Sequence, residues 1–147
     1  VVAIVRSLAP HGFDAFVLLS AHGGNFAPLE RAAEQLQAEF GPKGVRIISF
    51  GGRQGLLDVM RVMNDAAAEH GLRQDADAIH ADVTETSVLL NRHAKLVDEL
   101  FRRGLKALTP NGILGDPHGA TAALGETVIE RLAEHFATET RARLGAG

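Results

Sequence analysis

Two apolar runs with a helix-like pattern between them dominate the first fifty residues. Residues 13–20 and 45–50 are near-continuous apolar runs, as expected of strands that are covered by helices on both faces. Between them, residues 26–40 carry apolar side chains at helical spacing, which predicts an amphipathic helix. Residues 1–8 fit the second half of another helix, with Gly12 as a natural C-cap. The predicted buried stripe of the helix at 26–40 comprises Leu29, Ala32, Ala33, Leu36 and Phe40.

Helical patterns dominate the rest of the chain. The longest covers residues 120–144, where Leu124, Val128, Leu132 and Phe136 recur at every fourth position. The alternation of strands with helices indicates a layered α/β fold with a mostly parallel sheet. The other predicted elements are helices at 56–70 (stopped by Gly71), 84–90 (capped by Thr84) and 94–103, an extended segment at 105–112, and loops at 41–44, 51–55, 72–80 and 113–119.

Length and composition limit the classes of protein to which this chain can belong. The 147 residues suit a single domain, and 46% hydrophobic with 22% charged residues is ordinary for a globular protein. The absence of Cys excludes disulfides, zinc–thiolate sites and cysteine nucleophiles. A net charge of −3, with seven Phe and no Trp or Tyr, argues against a nucleic-acid partner. No apolar run approaches the roughly 20 residues of a membrane span, so we expect no membrane partner. The absence of Cys is compatible with the cytoplasm, which is the location we expect.

The N-terminal sequence predicts that the chain is a piece of a longer protein. Residues 1–5 are apolar, and neither an initiator Met nor a positively charged region precedes them, which argues against a secretory signal. The chain therefore begins inside a folded element. We interpret residues 1–147 as one N-terminally truncated domain.

The first candidate site is the stretch where the predicted strand at 13–20 runs into a glycine turn. His22 lies at the edge of this turn, outside the carboxyl end of a strand, where open parallel sheets bind their ligands. Gly23 and Gly24 remove side chains there, so that the backbone can approach a ligand closely. Asn25 is a suitable N-cap for the next helix. A plain turn with a surface histidine explains the same residues, and both interpretations stay open.

A second candidate pair is His80 and Glu85, on either side of a predicted helix start. A hydrolytic metal site needs neutral imidazoles and carboxylates that converge around an open position for water. Glu85 also has a structural interpretation, because a carboxylate in the first turn of a helix suits the helix dipole. His118 is a further candidate polar group or plain surface. The other four histidines are assigned no function: His11, His70, His93 and His135.

Other chemistries find little support in the sequence. It contains no GxxxxGK[ST] phosphate loop, and the glycines at 51–55 lack the spacing of a dinucleotide fingerprint. Ser20 does not lie in a GxSxG nucleophile elbow.

Three sequence motifs are informative when they are considered together. They are S-A-H-G-G-N at 20–25, D-A-I-H-A-D-V-T-E-T-S at 77–87, and G-I-L-G-D-P at 112–117 followed by Ala120-Thr121. In this order and at this spacing the chain resembles the creatininase (creatinine amidohydrolase) family. The motifs are similar to the family's N-G-H-G-G-N, D-x-H-A-G-x-x-E-T-S and G-x-x-G-D-P-x-x-A-T segments. One alone is a weak signal, but three in register that span most of the chain are fairly specific.

The resemblance implies a dinuclear metal amidohydrolase with a three-layer α/β/α fold, assembled as a homo-oligomer that is often a hexamer. It implies two divalent ions per active site (zinc, manganese or iron), which bridge a water that attacks a C–N amide bond. By this carry-over His22 is a metal ligand, and His80 is the catalytic residue that transfers a proton to the leaving nitrogen. Glu85 is a metal ligand or the catalytic carboxylate beside the metals. Substrate binding is assigned to the same motifs, at Gly24, Asn25, Thr86 and Asp116.

The chain departs from the family pattern at three places. Nothing in it matches the family's upstream segment E-x-H-G-x-H-L-P and the aspartate that follows, which supply further ligands. Gly24 stands where creatinine-specific enzymes carry glutamate. This favours the broader H-G-G-N subgroup, with its deformylase-like enzymes of flavin-type cofactor synthesis and a peptidase of a peptide-derived redox cofactor pathway. Asp82 replaces the glycine of H-A-G and adds a carboxylate near the site.

Two functions are therefore predicted as alternatives. The first is a metal-dependent amidohydrolase that cleaves a non-peptide or cyclic C–N bond of a small amide such as creatinine or a formamide. The second is a catalytically incomplete scaffold or pseudoenzyme subunit of the same fold. Loss of a leading strand exposes a sheet edge and apolar surface, so we expect this piece alone to aggregate or to depend on partner subunits. The hydrolase requires His22 and Glu85 to face a common pocket at one rim of the sheet.

Overall fold

Strands and helices alternate in the first part of the structure, as the hydrophobic pattern predicts. The computed structural model describes residues 1–73, 82–91 and 118–145. The chain divides into two compact units: unit 1 comprises Val1–Val59 and Thr138–Gly147, and unit 2 comprises Met60–Ala137. The elements are α1 (Val2–Leu8), β1 (Ala15–Leu18), α2 (Phe26–Phe40), β2 (Arg46–Ser49), α3 (Gly52–Glu69), α4 (residues 83–91) and α5 (Ala122–Gly145), with 3-10 turns at Ala9–His11, Gly23–Asn25 and Gly41–Lys43.

Unit 1 is built on a parallel pair of strands joined through a helix. β1 and β2 pair from Ala15 opposite Arg46 to Leu18 opposite Ser49. Parallel strands need a crossover connection, and α2 provides it. The apolar stripe of α2 packs with Val5 and Leu18 into one hydrophobic cluster. This arrangement confirms the α/β class, and the stripe residues that are buried in the cluster are Leu29, Ala33, Leu36 and Phe40.

Both strands are shorter than the apolar runs that predict them. The paired backbone covers Ala15–Leu18 within the run 13–20, and Arg46–Ser49 within the run 45–50. Phe13 and Leu19, near the two ends of the first run, are 51% and 52% exposed. Apolar side chains thus continue beyond the hydrogen-bonded ladder, so composition alone does not mark where a strand ends.

The glycine segment 51–55 is mostly helical, so the prediction of a loop there is wrong. α3 begins at Gly52, whose φ of +71° lies in the left-handed region that favours glycine. A Cβ added at Gly55 would overlap the carbonyl oxygen of Phe50. The glycines therefore allow α3 to start directly against the end of β2.

Within unit 1, two arginines join β2 to the C-terminal end of α5, one from each element. Arg143 donates a hydrogen bond from Nη1 to the carbonyl of Ser49 (2.8 Å), and its guanidinium lies 4.8 Å from the centre of the Phe50 ring. Arg46 donates from Nη1 to the carbonyl of Leu144 (2.5 Å). These bonds satisfy carbonyl groups at the ends of β2 and α5 that the ladder and the helix leave open.

Unit 2 is held together by small and aliphatic side chains between helices. A Cβ added at Gly125 would overlap the carbonyl oxygen of Ser87, so α4 and α5 approach each other at the level of the backbone. The predicted stripe of α5 is confirmed at Leu124 and Val128, whereas Leu132 is only partly buried. The buried cluster consists of Ala66, Ala67, Val83, Leu124 and Val128.

Polar contacts at the surface of unit 2 join the end of α3 to α5. Arg131 donates to both carboxylate oxygens of Glu69 (3.2 and 3.3 Å). The hydrogen bonds and charge of Glu69 raise the pKa of the Arg131 guanidinium above its ordinary value. The His70 ring lies 2.8 Å from the hydroxyl of Thr127, which gives this histidine a contact with α5.

Several predictions lie outside what the structure describes. The predicted helix at 94–103, the extended segment at 105–112 and most of the loops at 72–80 and 113–119 fall in segments beyond the described residues. The three-layer arrangement and the single-domain organisation stay predictions. In the described ranges, no helix is long and apolar enough to cross a membrane.

The variant Gly125→Ala tests the backbone contact between α4 and α5. Helix propensity alone favours Ala over Gly by about 1 kcal/mol. Overpacking against the Ser87 carbonyl costs about 1–3 kcal/mol, so we expect a net loss of up to about 2 kcal/mol in the free energy of unfolding. Urea titration followed by circular dichroism measures it. Gly145→Ala is the matched control, because no heavy atom lies within 4 Å of its added Cβ. Equal stability of the two variants would contradict the contact.

Candidate functional site

The histidine of the first motif lies on a short turn after the carboxyl end of β1. β1 ends at Leu18, and His22 is the N-cap of the 3-10 turn Gly23–Asn25, with an extended backbone (φ −130°, ψ 126°). Its side chain is exposed. This end of a parallel strand is the one at which α/β sheets bind ligands. The structure therefore presents His22 at a suitable place, and its role as a ligand stays a prediction.

The hydroxyl of Ser20 organises this turn. It accepts hydrogen bonds from the backbone N–H of His22 (3.2 Å) and from the side-chain amide of Asn25 (3.2 Å). The backbone N–H of Asn25 donates in turn to the carbonyl of His22 (3.0 Å). The three residues form one hydrogen-bonded unit around the histidine.

Two residues of the turn have roles that the motif did not predict: the Ser20 hydroxyl is its central acceptor, and Asn25 does not cap α2 through its side chain. Asn25 occupies the predicted N-cap position of α2, but it makes no side-chain cap hydrogen bond, because its amide is directed to Ser20. A signal for Ser20 was present, since serine hydroxyls commonly bond to backbone groups two residues ahead in turns.

The His22 ring lies over Gly24. A Cβ added at Gly24 would lie 2.9 Å from Nε2 and 3.3 Å from Cδ2 of His22. At Gly23 the nearest heavy atom would be Cδ1 of Leu56 at 3.9 Å, an ordinary van der Waals contact. The two glycines of the motif are therefore not equivalent, because the imidazole packs on one and not on the other.

A cavity of about 590 Å³ opens beside the turn, within unit 1. Its lining combines aliphatic side chains, Val2, Leu19 and Leu29 among them, with the polar residues Ser20 and Asn25, and polar and apolar groups contribute about equally to its surface. Small-molecule sites typically enclose about 300–1,000 Å³ and combine an apolar wall with a few placed polar groups. The hydrogen-bonded pair that supports His22 thus also borders a cavity of suitable size for a small ligand.

Glu85 of the second motif stands on the first turn of α4, and Asp82 is the residue that caps this helix. Oδ1 of Asp82 accepts from the backbone N–H of Thr84 and of Glu85 (both 2.9 Å), and from the hydroxyl of Thr84 (2.7 Å). The prediction that Thr84 caps the helix is wrong, because the Asp82 carboxylate reaches the N–H groups that need an acceptor. Glu85 is exposed, whereas Asp82 is 2% exposed.

Asp82 thereby receives a structural role where the family pattern has glycine. Its Oδ1 atom accepts hydrogen bonds from the first turn of α4, the helix that carries Glu85, and so stabilises that turn. The other, Oδ2, is buried and has no hydrogen-bond partner within the described ranges. The sequence showed an added carboxylate near the site, and the structure identifies it as the cap of α4.

The second and third motifs meet in unit 2. The backbone N–H of Thr121 donates to Oγ of Ser87 (3.0 Å), and this hydroxyl donates to the carbonyl of Val83 (2.6 Å). Oγ1 of Thr121 accepts from the N–H of Leu124 (3.1 Å), which caps the start of α5. The E-T-S and A-T ends of these motifs therefore join α4 to the start of α5.

Other parts of the predicted site are not tested by the structure. His80 and Asp116 lie outside the described residues. His22 belongs to unit 1 and Glu85 to unit 2, and their convergence on a common pocket stays a prediction. The substrate-binding roles assigned to the remaining motif residues also stay predictions: Gly24, Asn25 and Thr86.

The donor groups that the motifs supply fit a divalent ion by their chemistry. His22 offers an exposed imidazole, with no Cβ beside its Nε2, and Glu85 offers an exposed carboxylate. Nitrogen and oxygen donors of this kind suit zinc, manganese and iron alike. Among residues 1–73, 82–91 and 118–145, no group of three or more His, Asp or Glu side chains is placed to hold a metal ion.

Comparisons with known proteins agree with the motifs. The family model described as creatinine amidohydrolase (creatininase) matches residues 1–139. A curated relative, the mycofactocin precursor peptide peptidase of Mycobacterium ulcerans (strain Agy99), is 30% identical over 138 residues. The match covers 82% of this chain and 46% of the relative, so the chain spans about half the relative's length. No solved structure matches the chain significantly.

The cap of α4 generates a stability prediction. Asp82→Ala leaves the N–H groups of Thr84 and Glu85 and the Thr84 hydroxyl without their acceptor, and we expect a loss of about 1–3 kcal/mol in the free energy of unfolding. Asp82→Asn keeps an acceptor oxygen and should lose less than about 1 kcal/mol. Urea unfolding measures both.

The control for this prediction is Asp65→Ala, at an exposed aspartate whose partner Arg61 lies 3.8 Å away in an i,i+4 ion pair. An exposed pair of this kind contributes about 0.3–0.5 kcal/mol. If Asp82→Ala were no more destabilising than this control, the capping role of Asp82 would be refuted.

Proposed function

The chain belongs to the creatininase (creatinine amidohydrolase) family, and on that premise we propose that the protein is a metal-dependent hydrolase of a C–N amide bond. One observation carries the proposal: the H-G-G-N motif holds an exposed His22 imidazole on a hydrogen-bonded turn at the carboxyl end of β1. The family match and a relative named as a peptidase support a hydrolase. The dependence on a metal ion, the type of bond that is cleaved and the identity of the substrate are parts of our proposal.

The roles of the residues follow from their chemistry. The ion, when bound, supplies a water of lowered pKa and a polarised carbonyl. His22 would hold it through a ring nitrogen, and Glu85 would hold it through its carboxylate or act as the carboxylate beside it. Asp82 keeps the first turn of α4 formed beneath Glu85. His80 would carry the proton to the leaving nitrogen, since imidazole exchanges protons near neutral pH.

The substrate class divides into two testable groups. The first group comprises small non-peptide or cyclic amides, such as a formamide or creatinine. Gly24 stands in place of the glutamate of creatinine-specific enzymes, which argues against creatinine itself as the substrate. The relative's name adds a short peptide as the second. The cavity beside Ser20 and Asn25 has a volume suited to a small ligand, and its surface offers both polar and apolar groups to a substrate.

Further parts of the proposal come from the family. We propose two divalent ions per complete site, taken from zinc, manganese and iron, a homo-oligomeric assembly, and a cytoplasmic location. The competing proposal is a catalytically incomplete scaffold or pseudoenzyme, which Asp82 in place of the family's glycine motivates. Metal binding separates the two, because a scaffold has no need of ligands at His22.

The direct test is His22→Ala in the protein purified as its gene encodes it. Loss of an orienting residue outside the ligand shell costs about 10–100-fold in metal affinity or activity, so loss of a ligand should cost at least about 100-fold. We expect reduced zinc or manganese content by elemental analysis, and loss of hydrolysis in a panel of creatinine, formamides and short peptides.

His11→Ala is the control for this test, because His11 is exposed and belongs to none of the three motifs. It should retain the metal content and activity of the parent protein. A parent protein with less than about one divalent ion per chain, or a His22→Ala variant with unchanged metal content, would contradict the hydrolase and favour the scaffold.

A further inference from the structure

We propose that Oδ2 of Asp82 is a further ligand for the divalent ion that Glu85 would bind at the start of α4. The inference rests on the proposed function, since it concerns the ion of that site. The family pattern has glycine at this position, so this donor belongs to the present chain and not to the shared motif. Two features of the Asp82 carboxylate support the proposal: the unequal surroundings of its oxygens and its place beside Glu85.

The two oxygens of the Asp82 carboxylate have different surroundings. Oδ1 accepts three hydrogen bonds, two from the backbone N–H groups of Thr84 and Glu85 and one from the Thr84 hydroxyl. Oδ2 is buried and has no hydrogen-bond partner within the described ranges. A helix cap needs only one acceptor atom, and serine or asparagine supplies it as well as aspartate does. The cap therefore accounts for Oδ1 and leaves Oδ2 unexplained.

The burial of Oδ2 favours a cation as its partner. Asp82 is 2% exposed, so bulk water does not solvate its negative charge as it does at the surface. Nearly all buried polar atoms in native proteins have a partner, and a bound water or ion is one explanation of an exception. A buried anionic oxygen attracts a cation more strongly than an exposed one, because its surroundings screen the charge less. Carboxylate oxygen is also a donor that zinc, manganese and iron accept.

The backbone of Glu85 lies close to this oxygen. Its nitrogen is 2.9 Å from Oδ1 of Asp82. Because both oxygens are bonded to one carbon, at about 1.23 Å each, Oδ2 lies within about 5.4 Å of the same nitrogen. An ion bound at about 2.0–2.2 Å to each of two carboxylate oxygens bridges roughly 4 Å between them, a span of the same order. Oδ1 faces the N–H groups of the first turn, whose partial positive charge opposes a cation, and so leaves Oδ2 for the ion.

The experiment compares Asp82→Asn and Asp82→Ser with Asp82→Ala and the parent, in the protein purified as its gene encodes it. Asparagine and serine keep an acceptor for the cap but lack the second carboxylate oxygen. Zinc affinity is measured by competition with a chromophoric chelator, and the melting temperature is measured on the metal-free proteins. We expect both variants to melt above Asp82→Ala and near the parent, and to bind zinc at least about 100-fold more weakly, as for loss of a ligand. Asp65→Asn, which removes the same charge from an exposed aspartate of unit 2, should match the parent in zinc affinity.

The outcomes separate this inference from the proposed function, with His22→Ala measured alongside. An unchanged zinc affinity in His22→Ala overturns the proposed function, and the inference with it. Weakened binding in His22→Ala, with a loss of less than about 100-fold in Asp82→Asn and Asp82→Ser, overturns the inference alone, as a water bound at Oδ2 would predict. Melting temperatures of these two variants as low as that of Asp82→Ala also overturn it, because weaker binding would then follow from a destabilised start of α4.

Discussion

The hydrogen bonds that converge on the Ser20 hydroxyl determine how the candidate site is presented. They hold the backbone of His22 and the amide of Asn25 together, immediately after the strand that pairs with β2. The backbone of the turn is thereby held, and the His22 ring lies beside Gly24. A catalytic or binding group is useful only when its position is held in this way. The turn thus holds the predicted metal ligand, His22, in a fixed place after the parallel strand β1.

In unit 2, the capped start of α4 has the same role that the turn has in unit 1: it holds a motif residue in place. The Asp82 carboxylate gathers the first N–H groups of α4, and Ser87 joins that helix to the start of α5 through Thr121. Gly125 lets the two helices approach at the level of the backbone. Glu85 therefore lies on a helix that is stabilised by its N-terminal cap and by its packing against α5. Ser87 and Thr121 serve this framework, whereas Glu85 is exposed at its surface.

Hydrophobic spacing predicted α2 with its observed bounds, because one apolar stripe and its flanking turns define that helix locally. Gly12 is confirmed as a C-cap, with φ of +88°. The two N-caps were mispredicted, since an N-cap depends on which acceptor reaches the free N–H groups. Asn25 is drawn to Ser20, and Asp82 reaches α4 ahead of Thr84. The glycines at 51–55 were misassigned, because glycine permits a loop and a close helix contact equally. Pairing of His22 with Glu85 depends on distant parts of the chain, which no local pattern encodes, and it rests on the family resemblance.

The most direct measurement is a crystal structure of the zinc-loaded protein, with anomalous scattering at the zinc edge to locate the ions. The account predicts a nitrogen of His22 and a carboxylate oxygen of Glu85 at about 2.0–2.2 Å from ions of one site, with the ions about 3.5–4 Å apart. Zinc bound by other residues, or His22 and Glu85 too far apart to share one dinuclear site, would contradict it.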